Sequence, residues 1–102
     1  MVTNQRYDVV ITLQELHHPA YVALGTVARA LLTELRSLEQ PFQIPVVSIS
    51  VRDAMRRLNV SQRPVERAFD SLERLGWIEE SKSGPGRRRV VLLKSPAVDS
   101  HG

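Results

Sequence analysis

The chain contains no cysteine among its 102 residues, which excludes disulfides and thiolate metal ligands and leaves its redox compartment open. No apolar run approaches the roughly 20 residues that cross a bilayer as a helix, so neither a transmembrane helix nor a membrane partner is expected. The opening residues, Met1 to Arg6, lack the basic-then-apolar order of a secretory leader. A cytoplasmic location is the default expectation. His17, His18 and His101 are too scattered for a metal site, and no acid cluster completes one. No metal and no cofactor are expected. The serines stand in no visible constellation with histidine and aspartate. The run Ser83-Gly84-Pro85-Gly86-Arg87 lacks the lysine, the length and the strand-to-helix setting of a phosphate-binding loop. The expectation is therefore a protein that is not an enzyme.

What the chain does have is a lopsided charge. Hydrophobic residues make up 42% and charged residues 25%, values that suit one folded domain with a modest core. Between residues 52 and 94 lie eleven Arg or Lys against six acids, a balance of +5, whereas the remainder carries −2. Positive charge gathered in the C-terminal half suits contact with a polyanion, although a solvated basic surface would look the same.

Residues 7–13 alternate Tyr7, Val9, Ile11 and Leu13, which predicts a short N-terminal strand. Pro19 fits the first turn of a helix, and from residue 20 to 39 the set Leu24, Val27, Ala28, Leu31, Leu32, Leu35 and Leu38 recurs at helical spacing. Two heptads are too few for a coiled coil, so this stripe is read as core. Pro41 and Pro45 end the helix, and residues 44–49 read as extended. Ser50 with Asp53 resembles a capping box, and Val51, Ala54, Met55 and Leu58 give a short helix one apolar face. Asn59 suits a left-handed stop. Ser61 is expected to cap the next helix, with Pro64 in its first turn and Val65, Ala68, Phe69, Leu72 and Leu75 as its buried stripe. Gly76 ends it. Residues 77–80 and 88–93 read as strand arms around a turn-rich tip, and residues 95–102 read as a disordered tail beyond a domain of residues 1–94.

Two short helices joined by a tight turn, then a charged hairpin, form the pattern of a helix-turn-helix with a wing. The fold class expected is α+β: a winged helix-turn-helix with a three-helix core, a C-terminal β-hairpin wing and an additional N-terminal strand. Residues 61–75 would be the recognition helix and residues 77–93 the wing. The helix's buried stripe leaves Gln62, Arg63, Glu66, Arg67, Asp70 and Arg74 outward. Arginine pairs with guanine and glutamine with adenine in the major groove, so Gln62, Arg63 and Arg67 are the expected base readers. Asp70 and Arg74, four apart, are expected to pair with each other. Ser61, Arg57, Lys82, Arg87, Arg88 and Arg89 are expected at the DNA backbone or minor groove.

Residues 50–93, SVRDAMRRLNVSQRPVERAFDSLERLGWIEESKSGPGRRRVVLL, resemble the DNA-binding domain of GntR-type and related winged-helix regulators. The likeness lies in the SVRDAMRRLNVS turn, the PVERAFDSLERLGWI run and the Gly-rich basic wing. It implies that the turn serine and the first helical turn, here Ser61, Gln62 and Arg63, face DNA. GntR-type regulators continue into a large effector domain and this sequence does not, so no small-molecule effector is expected.

The leading expectation is a sequence-specific double-stranded DNA-binding protein, a transcriptional regulator acting as a homodimer on a palindromic or repeated site. A plasmid or phage protein for replication, partition or excision is the second reading. A winged helix used as a protein-interaction module is the third, kept open by the acids at 66, 70, 73, 79 and 80.

Overall fold

Over residues 9–13, the described part of the strand predicted for residues 7–13, the backbone instead enters a helix. The computed structural model describes residues 9–40, 43–81 and 88–97. Within it, residues 9–12 belong to no strand, and α1 spans Leu13–Leu16. The cause is a reciprocal cap at the helix start. Thr12 Oγ1 accepts the Glu15 N–H at 3.1 Å, and Glu15 Oε1 accepts the Thr12 N–H at 3.0 Å. Glu15 is also the one buried charged residue among the described residues, and that burial pins the turn in place.

The single helix predicted over residues 20–39 is two helices. His18 caps α2, Pro19–Val22, through Nδ1, which accepts the Ala20 N–H at 3.0 Å. Gly25 then serves as N-cap of α3, Thr26–Ser37, which carries the buried stripe Ala28, Leu31, Leu32 and Leu35. Strand β1, Val46–Ser50, runs without a loop into α4, Val51–Leu58, because Ser50 both ends the strand and caps the helix. Its hydroxyl accepts the Asp53 N–H at 2.9 Å. Asn59 stops α4 in the left-handed conformation, with φ 59° and ψ 46°.

Helix α5 spans Gln62–Arg74. Ser61 holds its N-cap position, as expected, but the side chain makes no capping hydrogen bond. Gly76, at φ 89°, makes the turn that a side chain would strain. Buried Trp77 follows, then β2, Ile78–Ser81, and β3, Arg88–Leu93.

These strands form a three-stranded antiparallel sheet in the order β1-β3-β2, so the fold is a small α+β arrangement. Val46 pairs with Leu92 and Ser50 with Arg88 on one side of β3, while Ile78 pairs with Leu93 and Ser81 with Val90 on the other. Val47, Ile49, Ile78, Val91 and Leu93 turn inward to meet Leu31, Leu35, Val65, Phe69 and Leu72 from α3 and α5. This core fixes the angle at which α5 leaves one face exposed.

One polar cluster closes the far side. Arg36 donates to both Glu15 oxygens, at 2.9 and 2.7 Å, and to the Val10 carbonyl at 2.8 Å. Its guanidinium lies 5.7 Å from the Trp77 ring centroid, and Trp77 Nε1 donates to the Ala20 carbonyl at 3.1 Å. Ser95 Oγ donates to Glu15 Oε2 at 2.6 Å. The packed chain thus continues past residue 94, where the sequence reading ends the domain.

Candidate functional site

Helix α5 divides cleanly by solvent exposure. Val65, Ala68, Phe69 and Leu72 are buried, and Arg63, Arg67, Asp70 and Arg74 are exposed. Positions 63, 67, 70 and 74 fall on one stripe at helical spacing, opposite the core. Gln62 sits beside them and donates through Nε2 to Glu66 Oε2 at 2.9 Å. That bond leaves its carbonyl oxygen and one amide hydrogen available. Among the described residues, Arg63, Arg67 and Arg74 enter no ion pair, and the expected Asp70–Arg74 pair does not form. The stripe therefore offers three uncompensated guanidiniums and one carboxylate.

Helix α4 splits its charges between two faces. Arg57 Nε donates to Asp53 Oδ2 at 2.9 Å and its Nη1 to Glu34 Oε1 of α3 at 3.2 Å. The Arg57 guanidinium holds the Asp53 carboxyl below the usual carboxylate range, and Asp53 in turn holds the Arg57 proton more tightly than usual. Arg57, expected at the DNA backbone, is thereby neutralised against α3. Arg56 also pairs with Asp53 but stays largely exposed.

The other face of α4 borders two shallow hollows beside the start of α5. One, of about 430 Å³, is lined by Ser50, Val51, Arg52, Met55 and Gln62. The second, of about 530 Å³, is lined by Arg52, Met55, Arg56, Asn59, Val60 and Ser61. Arg52 and Met55 border both. From the sequence alone, Arg52 counts only towards the overall charge and Met55 belongs to the apolar face of its helix. The signal was present in the spacing, since residues 52, 55, 56 and 59 share one helical face.

The sheet separates the two described wing arginines. Arg89 donates through Nη1 to Glu80 Oε1 at 3.0 Å and Oε2 at 2.9 Å, and lies 4.8 Å from the Phe69 ring centroid. Arg88 points the other way. The Leu93 N–H to Pro45 O bond, 2.8 Å, sets the ladder phase so that Val46, Ser48 and Ser50 turn their backbone groups to the outer edge. Arg88 reaches that edge, donating from Nε to Ser48 Oγ at 2.8 Å and from Nη2 to Ser48 O at 2.9 Å. The contact covers a carbonyl that another strand would otherwise find. Lys82, Arg87 and the wing tip lie outside the described residues.

The described residues hold no group of three or more His, Asp or Glu that could bind a metal, and no helix long and apolar enough to cross a membrane. What the site offers is a cationic, partly apolar surface at the junction of α4 and α5.

No protein-family model matches the chain, and no curated protein matches it. A solved structure described as the N-terminal domain of a DNA-binding protein is similar at a TM-score of 0.68, with 17% sequence identity, covering 94% of this chain and 79% of that one. At that identity the likeness is one of fold.

Proposed function

We propose that this chain is a double-stranded DNA-binding protein with a winged helix-turn-helix build, in which α4, the turn at residues 59–61 and α5 form the reading unit and β2–β3 form the wing. The observation that carries this is the outward stripe of α5. Three arginines that meet no acid partner among the described residues stand on a helix whose opposite face is locked into the core, beside hollows bordered by Arg52, likewise unpaired among them. A polyanion supplies the missing countercharge, and a helix of this width enters the major groove. The likeness to a domain of a DNA-binding protein supports the same reading.

In this reading Gln62, Arg63 and Arg67 contact base edges. Ser61, Arg52 and Arg88 hold phosphates, and Lys82 and Arg87 extend that role along the wing. Arg57 and Arg89 are engaged with acids inside the domain. Of the acids at 66, 70, 73, 79 and 80, all but Asp70 are engaged within the chain, by Gln62, the Glu80 N–H, Lys94 and Arg89 respectively, which weighs against an acidic protein-docking face. The biological role proposed is sequence-specific regulation of transcription. One reading helix spans only a few base pairs, so a homodimer on a palindromic or repeated site is proposed with it.

Sequencing of the genomic fragments that the protein retains, combined with a salt titration on the enriched duplex, tests this. The expected result is one enriched motif and an affinity that falls steeply as salt rises. Retention of fragments without common sequence, or an affinity indifferent to salt, overturns it.

A further inference from the structure

Met55 is an apolar side chain on a helical face that it shares with Arg52, Arg56 and Asn59. It is half-buried, packing one side against the core while bordering both hollows between α4 and α5. Val51 adds to the apolar floor of the first hollow, and Gln62 stands on its rim. Arg52, without an ion-pair partner among the described residues, flanks both. The site thus pairs a cation with a small apolar floor, next to the side chain expected to read the first base.

On the major-groove edge of duplex DNA, the only apolar group that any base presents is the C5-methyl of thymine. The other groups there are hydrogen-bond donors and acceptors, which a thioether and a valine cannot satisfy and would desolvate at a cost. Methionine's flexible, polarisable side chain adapts to a methyl group without a preformed socket. We propose that Met55, with Val51 beneath it, is a specificity-determining residue that recognises the methyl group of a thymine next to the base read by Gln62, while Arg52 holds the phosphate on the same side. The assignment rests on the DNA-binding reading above.

The test uses the enriched duplex with each thymine in turn replaced by deoxyuridine, which removes the methyl and leaves the base pairing intact. Removing one buried methyl is expected to weaken binding by about fourfold at one position in each half-site. In Met55→Ala that position should become indifferent to the replacement, and in Met55→Gln it should lose its preference for thymine. Circular dichroism of both variants establishes that they fold. Wild-type and Met55→Ala proteins that bind the duplex, yet respond identically to every deoxyuridine, overturn the Met55 assignment and leave the DNA reading standing. Absence of salt-sensitive binding to any duplex removes both.

Discussion

Arg88 and Arg89 are adjacent in the chain and act on opposite faces of the sheet. Arg89 is clamped to Glu80 over the Phe69 ring, whereas Arg88 lies across Ser48 at the outer edge. Successive strand residues alternate faces, so a run of arginines in a strand is never one contact surface. Arg89→Ala is therefore expected to remove a partly buried charge-assisted pair and a cation–π contact. It should destabilise the fold by about 1–2 kcal/mol and lower Tm by several degrees. Arg88→Ala should leave Tm within about a degree and reduce the salt slope of DNA binding by about one unit. Thermal melts and salt titrations on the two variants check this, and an exchange of their effects would reverse the assignment.

The arginines of the two helices divide in the same way. Arg67 has no acid partner among the described residues, while Arg57 has two. Arg67→Ala is expected to cost about 1–3 kcal/mol of binding to the enriched site and to relax preference at one base pair. Arg57→Ala should leave base preference untouched and change folding stability by less than about 1 kcal/mol, since the pair is partly solvated. Competition binding against a panel of single-base variants separates the two outcomes.

Much of this was legible from local chemistry. Asn59, Gly76 and the β1-to-α4 junction at Ser50 follow from side-chain requirements that need no tertiary context. The missed features depend on partners distant in sequence. Nothing near Arg57 indicates that Glu34 will lie 3.2 Å away, and nothing near Arg89 indicates that Phe69 will lie beneath it. The false N-terminal strand is different. Thr12 and Glu15 form a recognisable capping box, and the alternation of apolar residues outweighed it. The break at Gly25 is hidden in the sequence because Leu24 before it and Ala28 after it, both buried, keep helical spacing.

The turn between α4 and α5 depends on one backbone conformation. Asn59 adopts φ 59°, and its N–H closes on the Met55 carbonyl. Asn59→Gly should be within about 0.5 kcal/mol of wild type, because glycine takes the left-handed region freely. Asn59→Val should cost about 1–2 kcal/mol or more, since a β-branched side chain crowds the backbone there. Urea denaturation measures both, and equal stability of the two variants would contradict the left-handed turn.

Acid should weaken the fold through the clasp between Glu15, Arg36 and Ser95. Hydrogen bonding to Arg36 is the largest cause holding the Glu15 carboxyl at about 2, outweighing the burial that alone would raise it. A carboxyl whose pKa is depressed on folding stabilises the native state above its unfolded value of 4.5, and that contribution is lost as pH falls towards 2. The unfolded chain binds the proton first, so stability declines across that window by an amount on the order of 3 kcal/mol. Glu15→Gln keeps the shape but leaves Arg36 without its countercharge, so it should be destabilised at neutral pH and show a flatter profile between pH 4.5 and 2. Urea midpoints measured across that range for both proteins test the linkage. Parallel profiles would mean that Glu15 is not the group that titrates.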